Sequence, residues 1–259
     1  MEAMALHLAC LRGMCKCGKL AHAMASRGSF GKEIIEGLKP AFNLVYPPRC
    51  ASCGCSIAEH GAFCPDCWGE LEFPGTVEKP DASTGERHAG IIAATLYNDM
   101  SRSLLLKFKH GGKLSLAPIL GRMIASRIHD EEDKAPLIIP VPLHRTRIWQ
   151  RGFNQSAMLA REVAKAGRGE LLVDGLVRIK RTRSLGDLPS ATRHEILKGA
   201  IAVRRGAYEV VKERSVILID DVLTSGATST ACVDALLNAG AENVRIACFA
   251  RAARAPTRI

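Results

Sequence analysis

Two adjacent carboxylates, Asp220 and Asp221, stand between the apolar run Val216 to Ile219 and a turn of hydroxyls, Thr224-Ser225-Gly226-Ala227-Thr228. Carboxylates accept hydrogen bonds from a sugar diol, and a hydroxyl-rich turn opening a helix offers backbone N–H groups to an anion. The combination predicts a ligand that carries both a phosphate and free hydroxyls. No lysine accompanies the loop, which excludes a Walker A nucleotide cradle, and no Gly-x-Gly-x-x-Gly marks a dinucleotide site. The simpler alternative is a strand-turn-helix whose Asp and Ser residues only cap the helix. A cap needs one such residue, and this stretch has five.

The elements that must position these groups are legible on either side. Val216 to Ile219 is too short for a helix and rich in β-branched residues, which predicts a strand buried on both faces, with the two acids marking its carboxyl edge. Ala231, Cys232, Ala235, Leu236 and Ala239 then fall at helical spacing, Gly240 supplies a stop, and Val244 to Ala250 gives a second strand. Together they predict a right-handed strand-helix-strand unit.

A second strand, Leu137 to Val141, runs into Pro142, Leu143, His144, Arg145, Thr146 and Arg147, followed by Arg151-Gly152-Phe153-Asn154-Gln155. Guanidinium forks match phosphate oxygens in pairs, so this strand end is the natural place for a second anionic part of the ligand. Asn154 is placed to cap a helix that runs to Lys165 and stops at Gly167. Upstream, Gly90 to Tyr97 reads as a strand and Leu104 to Lys109 as a short helix ending in Lys107-Phe108-Lys109-His110-Gly111-Gly112. Lys107 and Lys109 either approach a phosphorylated ligand or a nucleic-acid backbone, or form a solvated basic turn. Ile119, Leu120, Met123, Ile124 and Ile128 give a helix with one face on the sheet.

Nearer the N-terminus, Cys50-Ala51-Ser52-Cys53 and Cys64-Pro65-Asp66-Cys67 are two Cys-x-x-Cys knuckles. Four thiolates at this spacing close a tetrahedral zinc site, and a closed all-Cys site is structural. Cys55 is a substitute ligand. A segment this short has too little apolar surface to fold alone, whereas bound Zn²⁺ supplies on the order of 10 kcal/mol. Cys15, Cys17 and His22 match no standard metal spacing.

Residues 216–228 resemble the 5-phosphoribosyl-1-pyrophosphate (PRPP) motif of type I phosphoribosyltransferases: four apolar positions, two acids and a Thr-Ser-Gly-x-Thr loop. Pro-Val-Pro-Leu-His-Arg-x-Arg with Arg-Gly-Phe-Asn-Gln extends the likeness to the ComF family, phosphoribosyltransferase-like proteins with an N-terminal zinc finger. The order of zinc knuckles, Lys-Phe-Lys-His-Gly, basic loop and PRPP motif is similar to that family from about residue 44 to 252.

The resemblance implies an α/β fold of type I phosphoribosyltransferase kind, a largely parallel sheet flanked by helices, with a small N-terminal zinc-binding module. It makes Asp220 and Asp221 the catalytic pair that holds the ribose diol. Thr224, Ser225, Gly226, Ala227 and Thr228 become the PRPP phosphate site, and Val141, Pro142, Leu143, His144, Arg145 and Arg147 the pyrophosphate loop, with Lys107, Lys109 and Arg151 as further basic contacts. Mg²⁺ would accompany PRPP, and the zinc would be structural. Residues 178–205 resemble a lid, but Leu185, Ile196 and Ile201 replace the Gln, Asn and Phe of the family pattern.

The expected organisation is an extension (1–43), the zinc-binding module (44–73), a Pro/Gly-rich linker (74–89), the phosphoribosyltransferase-like domain (90–254) and a tail (255–259). The net charge of +10 favours polyanionic partners, and no apolar stretch is long enough to span a bilayer. The chain has ten cysteines, and the clustering of four of them as metal ligands points to a reducing, cytoplasmic setting. The reading that follows is a protein that binds PRPP or a related phosphosugar and is linked to DNA uptake in natural transformation. Its alternatives are an active transferase acting on a nitrogen nucleophile that no residue identifies, and a basic single-stranded DNA-binding module with an inherited inactive pocket. DNA-uptake proteins are the partners this implies. Aromatic residues make up only 5% of the chain, which gives little material for a stacking platform.

Overall fold

The computed structural model describes residues 43–75, 87–110, 112–129, 134–144, 146, 148, 149, 152–180, 192, 196, 197 and 199–252. The expected extension, most of the linker and the tail lie outside the described residues, as does most of the lid-like segment.

The elements, in chain order, are α1 (Pro65–Gly69), β1 (Gly90–Leu96), α2 (Asp99–His110), α3 (Ala117–Arg127), β2 (Leu137–Pro140), α4 (Gln155–Lys165), β3 (Glu170–Leu171), β4 (Leu176–Arg178), β5 (Ile201–Val203), α5 (Tyr208–Val211), β6 (Ser215–Leu223), α6 (Ala227–Asn238) and β7 (Asn243–Arg251). Five strands form one parallel sheet in the order β1-β7-β6-β2-β3, and β4 pairs antiparallel with β5 in a separate two-stranded sheet.

Period-two alternation divides each central strand between two apolar layers. Ile217 and Ile219 of β6 join Ile138, Ala247 and Phe249 in a core with α2, α3 and α4. Val216 and Leu218 join Leu137, Ile139, Ile246 and Cys248 in a core with α6 and the β4–β5 pair. Burial on both faces explains why the strands read as unbroken apolar runs.

The zinc knuckles share the first of these cores. Cys50, Cys64, Cys67 and Leu71 pack in one apolar cluster with Leu104, Phe108, Leu120 and Ile124. Polar ties reinforce the contact: Arg122 Nη2 donates to Gly61 O at 2.9 Å, Arg127 Nη2 to Pro74 O at 2.9 Å, and Asn98 Nδ2 to Glu70 O at 2.8 Å. The 49–73 segment is therefore built onto α2 and α3 and completes their burial.

Candidate functional site

The order of the sheet contains a topological switch point. From β2 the chain moves outward to β3, whereas from β6 it moves outward to β7 on the other side, so the two connections part between β2 and β6. Ligands of open α/β sheets sit at such switch points. Pairing of β2 with β6 stops at Pro140 opposite Ile219, with one further bond from Val141 N to Ile219 O at 2.9 Å. Pro142 has no N–H to continue the ladder.

One expectation is corrected here. The acids do not mark the end of the strand: β6 continues through Leu223, and Asp220 pairs with Cys248 of β7. The edge they mark is the one facing β2, where the partner strand has already left.

The two carboxylates are held differently. Asp221 is buried and its Oδ2 meets Lys109 Nζ at 2.9 Å, with the lysine side chain 20% and the aspartate side chain 11% exposed. Asp220 is half-buried, and its Oδ1 accepts from Ser156 Oγ at 3.2 Å and from the Asp221 N–H at 2.8 Å. Burial, and then the charge of Asp221, push the Asp220 carboxyl up to about 7, against the opposing pull of those hydrogen bonds and of Lys109.

Ser156 is a residue that sequence reasoning missed. Asn154 supplies its placement: the Asn154 side chain caps α4 by accepting from Ser156 N at 3.0 Å and donates from Nδ2 to Val141 O at 3.1 Å. One asparagine thus ties the start of the loop after β2 to the helix whose second residue touches Asp220. An Asn-x-Ser opening a predicted helix was the only available signal.

The turn after β6 opens α6 at a glycine. α6 begins at Gly226, whose φ of 72° is left-handed and whose lack of a side chain leaves the helix without a side-chain cap. The cap position thus falls on Gly226 and not on an Asp or Ser. Ala227 is buried, Thr224 is exposed, and Ser225 and Thr228 are half-buried. In the loop after β2, Val141 and Pro142 are buried, Leu143 and His144 are half-buried, and the His144 ring contacts Thr146 Oγ1 at 2.9 Å. Arg145, Arg147 and Arg151 lie outside the described residues. Lys107 does not face the two acids; its Nζ donates to Ser52 O at 3.0 Å.

Cys50, Cys53, Cys64 and Cys67 bring their sulfurs within 4.8 Å of one another, and Cys55 is not part of the set. Cys53 Sγ and Cys64 Sγ are 3.7 Å apart, close to the edge of about 3.8 Å that a tetrahedron with Zn–S bonds of about 2.3 Å requires. Pro65 sets the first turn of α1, and Cys64 Sγ accepts from Cys67 N at 3.5 Å. Burial raises the Cys50 thiol, but N–H groups of Cys64, Cys53 and Ser52 outweigh it and bring the group down to about 6. Burial and the neighbouring sulfurs push Cys67 up to about 12, as expected where four thiols cannot all ionise without a cation between them. The donor set fits structural zinc.

Two family profiles match the chain: a double zinc ribbon domain over residues 41–79 and a phosphoribosyl transferase domain over residues 148–258. Competence protein F of Haemophilus influenzae is 26% identical over 79% of this chain and 85% of its own. DNA utilization protein YhgH of Escherichia coli O157:H7 is 24% identical over 78% of this chain and 89% of its own. Competence protein ComFC of Bacillus subtilis is 28% identical over 56% of each chain. The chain is similar to these ComF-type proteins in both of its parts. As in the ComF arrangement expected from the motifs, a zinc ribbon precedes a phosphoribosyltransferase-type α/β fold, and the described residues contain no helix long and apolar enough to cross a membrane.

Proposed function

We propose that the crevice between β2 and β6 binds PRPP or a related phosphosugar, and that the protein serves DNA uptake as its relatives' names indicate for them. The observation that carries this reading is the meeting, at the switch point, of a carboxylate pair with a helix start that has no side-chain cap. In this reading the N–H groups and hydroxyls of Thr224 to Thr228 take the 5′-phosphate, Asp220 and Asp221 accept from the ribose diol, and the Val141 to Arg147 loop takes the pyrophosphate. Mg²⁺ fits the same donors, since it is usually held by one or two carboxylates together with substrate phosphates. It would supply neutralisation of the pyrophosphate charge. Gln155 Nε2 and Ser229 Oγ, in the first turns of α4 and α6, are buried without a partner among the described residues, which supports a polar ligand between these helix starts.

The test is calorimetric titration of the zinc-loaded protein with PRPP and Mg²⁺. Saturable binding that disappears in Asp220→Asn/Asp221→Asn is expected, and unchanged affinity in that double variant rules out the assignment. Pyrophosphate release in the presence of nitrogen nucleophiles separates turnover from binding.

A second reading, contact with single-stranded DNA, is favoured by one observation. Phe63, Trp68 and Phe73 form a row with ring centroids 6.5 and 5.3 Å apart, and Trp68 and Phe73 are 48% and 45% exposed. Exposed rings in series are stacking surfaces for bases. Binding that falls steeply with salt and weakens in Trp68→Ala supports this reading; salt-insensitive binding, or none, rejects it.

A further inference from the structure

Lys107, Phe108 and Lys109 are consecutive on α2, so their side chains leave the helix about 100° apart and cannot serve one surface. The structure gives each its own anchor. Lys107 Nζ donates to Ser52 O, between the first two zinc-ligating cysteines, at 3.0 Å. Phe108 is fully buried and packs at 6.2 Å against Phe153, the residue before the α4 cap. Lys109 holds Asp221. The other end of α2 is fixed to the same ribbon: Asn98 accepts from Ser101 N at 2.9 Å as the cap and donates to Glu70 O, while Ser52 Oγ lies 3.6 Å from Met100 Sδ.

We propose that Lys107 is a positioning residue for the phosphosugar site: it fixes the rotation of α2 against the first zinc knuckle, so that zinc occupancy sets how Lys109 presents Asp221 to the ligand. The proposal rests on the phosphosugar reading of the crevice. Its physical basis is the stiffness of the path. A helix end gripped on three sides has no free rotation, and the knuckle carbonyl that grips one side keeps its place only while Cys50 and Cys53 share a cation with Cys64 and Cys67. Losing that grip lets the end of α2 turn, and the Lys109 ammonium moves with it.

The experiment uses the full chain with zinc content measured. Lys107→Met keeps the apolar stem and removes the donor; Lys107→Arg keeps a donor able to reach Ser52 O. The expected result is full zinc content in both, Mg²⁺–PRPP affinity reduced by about fivefold or more in Lys107→Met, and recovery in Lys107→Arg. Hydrogen exchange is followed in parallel, with and without removal of zinc by a chelator. Faster exchange at residues 218–226, as well as in the ribbon, is expected in the stripped protein and in Lys107→Met. Wild-type affinity and exchange in Lys107→Met overturn the proposal, as does loss of zinc from that variant, which would make Lys107 a prop of the ribbon alone. If the wild-type protein fails to bind PRPP, the phosphosugar reading falls while the exchange data still decide the coupling: an unchanged 218–226 segment after zinc removal rejects it, and a loosened one supports it.

Discussion

Replacing Asp220 with asparagine is expected to strengthen the fold while disabling the crevice. Its carboxyl sits at about 7 against an ordinary 3.8, raised first by burial and then by Asp221. Between these values the folded protein holds a proton that the unfolded chain has released, so stability falls as pH rises through that window and stays reduced above it. Three units correspond to roughly 4 kcal/mol. Asp220 is only half-buried, so solvent screens part of this and about 2 kcal/mol is the working figure. Asparagine resembles the protonated acid and can still accept from Ser156 Oγ and Asp221 N. At pH 8 the variant should therefore melt roughly 4–8 °C above the wild type in scanning calorimetry, while near pH 4 the two should coincide. Adding PRPP and Mg²⁺ should raise the wild-type melting temperature and leave the variant's unchanged. Equal melting temperatures at pH 8, or a gap that widens towards acid pH, would refute the assignment of a strained, charge-destabilised carboxylate at this position.

Lys109→Met leaves the buried Asp221 carboxylate without its cation and is expected to cost about 3 kcal/mol, measured by denaturant titration; a loss under about 0.5 kcal/mol would show that Asp221 has another counter-charge. Cys64→Ser removes a zinc ligand that is also a core side chain shared with Leu104, Phe108 and Leu120. Calorimetry should then show one lowered transition for ribbon and sheet together, and an unshifted main transition would mean that the ribbon unfolds alone. Because a diol or Mg²⁺ selects ionised Asp220, PRPP binding near pH 7 should release a proton and tighten as pH rises towards that value. Titrations in two buffers of different ionisation enthalpy measure the release, and a buffer-independent heat would contradict it.

The strand-helix-strand unit around the acids was readable because Val216 to Ile219 and Val244 to Ala250 are apolar on both faces and the intervening helix keeps one apolar stripe. The cap of α4 was equally legible, since Asn154 acts on Ser156 two residues away. What sequence could not show are the contacts that bring distant segments together. Ser156 meets Asp220 only because α4 starts beside β6, and Lys109 meets Asp221 only because α2 ends there. The end of the strand was misplaced for a related reason. Adjacent acids look like a strand terminus, yet β7 keeps pairing as far as Leu223 while only β2 withdraws. Nor does a Cys-x-x-Cys pair reveal that its sulfurs will lie in the same apolar cluster as Phe108.

The two neighbouring acids of β6 are met from different elements. Asp221 shares a face with Ile217 and Ile219, the layer that contains α2, and there it finds the lysine that neutralises it. Asp220 is met by Ser156 of α4, and its charge, after burial, pushes up the buried Cys232 and Cys248 thiols. Hydroxyl and backbone N–H groups reach one oxygen of Asp220, and no cation pairs with it among the described residues. In the phosphosugar reading proposed above, neighbouring positions thus hold one acid paired within the protein and one left for the ligand's hydroxyls. On that reading Asp221 and Lys109 hold the geometry, and Asp220 is the carboxylate whose ionisation the ligand selects.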